Sequence, residues 1–196
     1  MRKMITVKIN GEERQYPQGA TYEDVANDYQ QEYENLIALA ARDGKIRELF
    51  KKLTRDCEVT FFTLKDDVGN KTYVRSATML FLKAVFDVYG REAAQSCRVE
   101  FAIGNGSYIS PRGQIAATED NAAKIRDRMR ELVEAKTPFL KRSYSLDNAM
   151  ELFHKEGMED KEKLFRYRRG SFVNIYEMDG YYDYYYGYML PNAGYV

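Results

Sequence analysis

The strongest constraint in the sequence is an alternation of apolar and polar residues that ends at an Asn-Gly pair. Residues 4–9 place three aliphatic side chains at every second position, which is typical of a strand with one buried face. Asn10-Gly11 then supplies the positive φ angles that a tight hairpin turn requires. The pattern predicts a β-hairpin whose second strand returns through residues 14–16.

One helix and three further strands are predicted before residue 65. Thr21 followed by Asp24 resembles a capping box, so a helix is expected to begin there. Strands are predicted over residues 36–40, 46–53 and 57–64. The order β-β-α-β-β-β predicts a compact first domain over residues 1–65.

A polar, turn-rich stretch over residues 66–70 is the predicted joint between two domains. Beyond it, apolar residues at helical spacing alternate with short strand patterns. Helices are predicted over residues 72–89, 118–136, 145–157 and 160–167, and strands over 98–103, 139–144, 172–178 and 181–186. Residues 66–196 are therefore predicted to form a second domain of the α+β class, with helices packed on an antiparallel sheet.

Charge and hydropathy exclude several classes of protein. Lys plus Arg number 30 and Asp plus Glu number 30, so binding of nucleic acid by a general positive excess is disfavoured and any RNA contact must be local. No apolar run is long enough for a membrane span, and the N-terminus lacks a secretory signal. Cys57 and Cys97 show no disulfide or zinc spacing. We expect a cytoplasmic protein with no membrane partner.

Two clusters leave alternatives open. Eight of the 17 tyrosines fall between Tyr176 and Tyr195, where they either stack on a ligand or pack within a strand. Arg166, Arg168 and Arg169 flank Tyr167 and form either a local anion site or solvated surface.

Residues that could carry catalysis are few. His154 is the only histidine and falls in the last turn of a predicted helix, where a surface cation is the ordinary interpretation. A single histidine also excludes a metal site built from several histidines. The Gly-x-x-x-x-Gly-Lys phosphate loop does not occur in the sequence.

Three blocks in the first 65 residues occur together in a known module. They are Ile-Thr-Val-Lys-Ile-Asn-Gly-Glu at residues 5–12, Pro-x-Gly-Ala-Thr-Tyr-x-Asp-Val-Ala at 17–26, and Ala-Arg-Asp-Gly-Lys at 41–45. In these blocks the segment resembles a TGS domain, the small β-grasp module of threonyl-tRNA synthetases and stringent-response synthetases. The resemblance implies an N-terminal β-grasp domain.

The remainder resembles the second additional domain of threonyl-tRNA synthetase, which in that family hydrolyses mischarged seryl-tRNA. The supporting blocks are Ile103-Gly104, residues 119–125, Pro138-Phe139, Ala-x-Glu-Leu-Phe at 149–153, and residues 173–183. This resemblance implies an antiparallel-sheet α+β domain similar to the synthetase editing domain.

The sequence departs from that family at the catalytic signature. The family places His-x-x-x-His on the first helix of the domain and Cys-x-x-x-His near its end. In this chain Arg75 and Met79 stand at the first two positions, and Tyr185 and Met189 at the last two. The resemblance implies a degenerate site without catalytic residues or metal. These four residues and Asp183 are expected to border one ligand cleft.

The final Asp-Tyr-Tyr-Tyr-Gly and Pro-Asn-Ala-Gly-Tyr-Val segments, together with the degenerate site, resemble the N-terminal part of a bacterial uridine kinase-like family. The resemblance implies a truncated chain whose partner is a C-terminal P-loop kinase domain that binds ATP and magnesium. The chain itself would hold no cofactor and would be a non-catalytic binding or regulatory module for a nucleotide or RNA. The alternatives are a free-standing aminoacyl-tRNA deacylase with a metal-free mechanism, and an RNA-binding adaptor.

Overall fold

The computed structural model describes residues 3–104, 106–113 and 115–196. The chain divides into two compact units, one formed by Met1–Ser76 with Gly187–Val196 and the other by Ala77–Tyr186. This division differs from the predicted boundary at residues 66–70. Whether residues 1–65 fold alone stays a prediction.

The first unit contains a five-stranded sheet with one helix before its third strand. Its elements are β1 Met4–Ile9, β2 Glu12–Pro17, α1 Tyr22–Tyr29, β3 Ile37–Arg42, β4 Lys45–Glu48 and β5 Cys57–Thr63, with 3₁₀ turns at Gln30–Glu32 and Ala193–Tyr195. The strand order is β2-β1-β5-β3-β4, in which β1 and β5 are parallel and the other pairs antiparallel. The predicted element order is confirmed.

Local sequence patterns explain these elements. Asn10 and Gly11 have φ angles of 52° and 89°, which turns β1 directly into β2. The Thr21 side chain accepts a hydrogen bond from the Asp24 amide at 3.1 Å, and the Asp24 carboxylate accepts one from the Thr21 amide at 2.7 Å. The predicted hairpin and capping box are therefore both confirmed.

The turn predicted at residues 66–70 is wrong, because helix α2 begins there and runs over Asp67–Tyr89, while the domain boundary stays a prediction. The Asp66 carboxylate accepts a hydrogen bond from the Thr63 amide at 2.7 Å, and the Asp66 carbonyl accepts one from the Asn70 amide at 2.8 Å. A polar segment that resembles a turn is thus a helix start that follows β5 directly.

The C-terminal segment belongs to the first unit through hydrogen bonds to it. The Leu190 amide donates to the Ser76 hydroxyl at 3.0 Å, and the Asn192 side chain donates to Glu23 at 3.3 Å. Leu190 and Ser76 are fully buried. These contacts join sequence segments more than a hundred residues apart, which explains why the division of the chain is discontinuous.

The second unit combines helices with antiparallel strands. After α2 it contains α3 Arg91–Ser96, β6 Cys97–Ile103, β7 Gly106–Pro111, α4 Glu119–Glu134, β8 Leu140–Ser145, α5 Leu146–Lys155, α6 Glu159–Arg166, β9 Phe172–Met178 and β10 Tyr181–Asp183. Strands β10, β9 and β8 form one antiparallel sheet in that order, and β6 and β7 form a separate hairpin. The predicted mixture of helices and antiparallel strands is confirmed, whereas α3 was not predicted.

The tyrosine strand is shorter than predicted. β10 ends at Asp183, so the strand predicted to continue to residue 186 is wrong over its second half. The Asp183 carboxylate accepts a hydrogen bond from the Tyr184 amide at 2.6 Å, which engages that amide locally. No helix within the described ranges has the length and apolar character of a membrane span.

Candidate functional site

A cavity of about 740 Å³ opens within the second unit. It is lined by residues of α2, β6, α6 and the end of β10, among them Thr78, Cys97, Lys161, Asp183 and Tyr185. The volume falls in the range of ordinary small-molecule sites. We name it the Lys161–Asp183 cavity after the ion pair in its wall.

Lys161 and Asp183 form that ion pair through a direct hydrogen bond from the ammonium to the carboxylate. Asp183 is 3% exposed, so its charge has little access to water and depends on this partner. Lys161 projects from α6 and Asp183 ends β10, which brings together two residues that are 22 positions apart. The Asp183 carboxylate, neutralised by Lys161, therefore lies in the wall of the cavity.

Two phenols accompany the ion pair. Burial raises the pKa of Tyr185 well above its ordinary value, and the nearby Asp183 carboxylate raises it further. Burial and the same carboxylate also raise the pKa of Tyr181. The Tyr185 hydroxyl is buried and makes no hydrogen bond with the described residues. Because this hydroxyl has no access to water, it is an unpartnered donor behind the cavity wall and not part of its open surface.

The cavity offers groups for binding, and the carboxylates of Glu159, Asp160 and Asp183 are its candidate bases. Cys97 lines it as a thiol, because burial raises its pKa. Phenols with raised pKa values remain protonated near neutral pH and donate hydrogen bonds rather than accept protons. Asp183 can attract a ligand cation, whereas Lys161 can attract an anion.

Arg75 lies in the first unit and anchors the C-terminal segment. Its Nε donates to the Tyr188 carbonyl at 3.0 Å, and its Nη2 donates to the Thr72 hydroxyl at 3.3 Å. The guanidinium also lies against Gly187, where a Cβ atom would be 2.6 Å from the Arg75 Cζ. These contacts give Arg75 a structural role in the first unit.

The two methionines are fully buried. Met189 lies in the first unit, where its sulfur is 3.9 Å from the Ser76 hydroxyl and its amide donates to Glu48 at 3.3 Å. Met79 lies in the second unit, one position beyond Thr78 of the cavity wall. Zinc in proteins is bound by Cys, His, Asp and Glu, and methionine is not among these ligands.

The five predicted site residues are thus distributed over both units. Asp183 and Tyr185 line one cavity of the second unit, which also contains Met79, whereas Arg75 and Met189 belong to the first. A single cleft bordered by all five stays a prediction.

His154 does not join this cavity. Its ring lies on α5, with 80% of the side chain exposed and Nδ1 3.0 Å from the Glu162 carboxylate. Hydrogen bonds from Arg166 and then His154 hold the pKa of Glu162 below its ordinary value. Within the part of the chain that the structure describes, no three His, Cys, Asp or Glu side chains are grouped as a metal site would require.

Sequence reasoning missed Lys161. No local pattern separates it from Lys163, which lies on the same helix and lines the same cavity. Asp183, the partner of Lys161, was identified only through the family resemblance. A pairing between distant elements would have required knowledge of the tertiary structure.

No protein-family model matches the chain. The chain is similar to threonine–tRNA ligases: it is 28% identical to that of Thermotoga maritima over 200 residues, 27% identical to that of Thermotoga neapolitana over 201, and 24% identical to that of Porphyromonas gingivalis over 193. These alignments cover 98%, 99% and 95% of this chain. They cover 29%, 30% and 28% of the relatives, so the chain spans less than a third of their length.

Proposed function

We propose that the second unit is an editing-domain-like module that binds the aminoacylated 3′ end of a tRNA in the Lys161–Asp183 cavity and does not hydrolyse it. The similarity to threonine–tRNA ligases supports the choice of ligand class. The buried ion pair in the wall of an open cavity is the observation that carries the proposal.

The cavity suits an aminoacyl ester because such a ligand carries a free α-ammonium group. That cation can take the place of the Lys161 ammonium beside Asp183, so the buried carboxylate stays compensated. The aminoacyl group and its adenosine are of the size that a cavity of about 740 Å³ accommodates.

Hydrolysis requires a group that takes a proton from water near the working pH. Methionine cannot titrate, an arginine stays protonated, and burial keeps the Tyr185 phenol neutral. Two buried thioethers, an arginine and a phenol also do not fit zinc. Of the five predicted site residues Asp183 alone could act as a base, and Lys161 already engages its carboxylate; Glu159 and Asp160 are the other carboxylates that line the cavity.

Calorimetric titration tests binding with adenosine whose 3′ position carries a serine in a non-hydrolysable amide linkage. We expect saturable binding, and we expect the N-acetylated analogue, which lacks the ammonium, to bind at least tenfold more weakly. Asp183→Asn should remove this difference between the two ligands. Because the acetyl comparison leaves the protein unchanged, it also covers the case in which the variant fails to fold. Equal binding of both analogues, or none, contradicts the proposal.

The deacylase alternative makes a different prediction. We expect seryl-tRNA(Thr) to be hydrolysed no faster with the protein than without it, and purified protein to contain no stoichiometric zinc. Hydrolysis that Asp183→Asn abolishes would replace the binding proposal by the deacylase.

For the first unit we propose a TGS-like β-grasp module. It is supported by one helix and a five-stranded sheet in which the first and last strands pair in parallel at the centre. The further proposal of a uridine kinase rests on the tyrosine-rich ending and the degenerate site, and the comparisons lend it no support. Its ATP, magnesium and P-loop would belong to a domain beyond residue 196. Sequencing the gene past that residue tests it.

A further inference from the structure

We infer that the end of α6 and the residues after it form a surface for a single-stranded RNA 3′ end that leads into the Lys161–Asp183 cavity. The inference rests on the proposed function and specifies how the ligand is held outside the cavity. We name residues 166–169 the α6 exit surface.

Local charge is the first observation. Residues 161–169 contain five basic side chains and one acidic side chain, although the whole chain is neutral. Lys161 and Lys163 line the cavity, and Arg168 and Arg169 follow the end of the helix. Cations that begin in a cavity and continue along the surface outside it match the path of a sugar–phosphate backbone.

An exposed aromatic ring lies within this basic segment. Tyr167 is 88% exposed, although its neighbour Phe165 is 1% exposed. The backbone on either side of Tyr167 is hydrogen-bonded, since the Arg168 amide donates to the Phe165 carbonyl at 3.1 Å. A ring held in water on an ordered backbone and flanked by guanidinium groups is typical of base-stacking sites.

Arg168 connects this surface to the cavity. Its guanidinium donates a hydrogen bond to the Tyr184 hydroxyl and lies 5.4 Å from the centre of the Tyr184 ring. Tyr184 lines the Lys161–Asp183 cavity and packs edge-on against Phe165 at 5.0 Å between ring centres. The α6 exit surface is thus continuous with the rim of the cavity.

A solvated surface is the competing interpretation. Cations in the last turn of a helix stabilise its dipole, and Arg166 pairs with Glu162 for this ordinary reason. The helix dipole does not account for Tyr167, whose exposed ring gains nothing from the helix end. The aromatic residue therefore favours a ligand that stacks.

The test compares two ligands on the full chain. One is the seryl-amide adenosine, and the other is the same group at the 3′ end of a seven-nucleotide RNA ending in CCA. We expect the RNA to bind at least tenfold more tightly. Tyr167→Ala should lower RNA affinity at least fivefold and change affinity for the small analogue less than twofold, whereas Tyr167→Phe should bind like the unmodified protein because stacking needs only the ring.

Salt dependence separates phosphate contacts from stacking. Arg169→Ala should reduce the slope of log affinity against log salt by about 0.7, the value expected for one phosphate on a single strand. Tyr167→Ala should leave that slope unchanged. Arg130→Ala is the matched control, because Arg130 is an exposed arginine on α4, and it should change neither affinity nor slope.

The outcomes distinguish this inference from the proposed function. If the small analogue binds and the RNA binds no more tightly, the α6 exit surface is wrong while the cavity proposal stands. If neither ligand binds, both are wrong. If an acidic peptide of equal charge competes as well as the RNA, the surface is a general anion site and the inference is overturned.

Discussion

A Cβ atom on Gly69 would lie 1.9 Å from the carbonyl oxygen of Thr63. Gly69 is in the first turns of α2, where alanine would ordinarily stabilise a helix by about 1 kcal/mol relative to glycine. The end of β5 approaches the helix so closely that no side chain fits between them. The turn from β5 into α2 therefore requires glycine for space rather than for its backbone freedom.

Gly69→Ala is predicted to destabilise the first unit by about 2 kcal/mol or more, because the added methyl group must displace backbone. Urea unfolding followed by circular dichroism measures the effect. Asn70→Ala is the control: Asn70 is exposed on the same helix, so this change should be neutral or slightly stabilising. A Gly69→Ala protein as stable as the control would contradict the close approach.

Gly187→Ala should destabilise the protein partly through Arg75. The new methyl group would meet the guanidinium, and the backbone φ of 140° disfavours alanine. In an Arg75→Ala background only the backbone contribution remains. There Gly187→Ala should lower the unfolding free energy by at least about 0.5 kcal/mol less than it does in the unmodified protein. A double-mutant cycle of unfolding free energies measures this coupling. Strict additivity would show that the two residues do not meet.

The buried ion pair of Lys83 and Asp87 should matter far more than an exposed pair. The Lys83 side chain is 3% exposed, and its ammonium lies 2.7 Å from the Asp87 carboxylate. Asp87→Asn should cost about 2 kcal/mol or more, since the buried Lys83 ammonium keeps only Asp179 at 3.4 Å and Arg128 also loses its Asp87 partner. The matched change Asp67→Asn affects the exposed pair with Lys71 and should cost at most about 1 kcal/mol. Similar losses at both sites, measured by urea unfolding, would contradict the burial of Lys83.

Alkaline pH should destabilise the second unit through its buried phenols. Burial raises the pKa of Tyr185 in the folded chain, whereas an unfolded tyrosine ionises at about pH 10. The unfolded state therefore loses protons first, and stability falls as pH rises above about 10. Unfolding free energies across this range should decline less in Tyr185→Phe. Tyr186→Phe alters a tyrosine that is 87% exposed, so its unfolding free energy should fall with pH as it does in the unmodified protein.

Local patterns in the sequence determined most of the elements. The hairpin at Asn10 and the helix starts at Thr21, Thr118 and Ser145 depend on groups within three residues of one another, and the structure shows each cap. Such interactions form whatever the rest of the chain does, which is why they can be predicted from residue order.

Sequence patterns failed where one residue type serves two purposes. Residues 66–70 have the composition of a turn, but the Asp66 carboxylate binds the Thr63 amide at the end of β5, its carbonyl binds the Asn70 amide of α2, and Gly69 provides space. In the tyrosine segment the alternation predicted a longer strand, whereas the Asp183 side chain binds the next amide and β10 ends there. In both segments a competing hydrogen bond decided the structure.

The sequence by itself therefore determined the order of most helices and strands and the absence of a histidine-rich site, whereas the candidates Asp183 and Tyr185 came from the family resemblance. Only the tertiary structure decided that Lys161 faces Asp183, that residues 187–196 return to the first unit, and that Arg75 anchors that segment. The physical reason is separation along the chain. A buried charge is stabilised by a partner within a few ångströms, and residue order does not specify which distant side chain the packing of helices and strands will bring there.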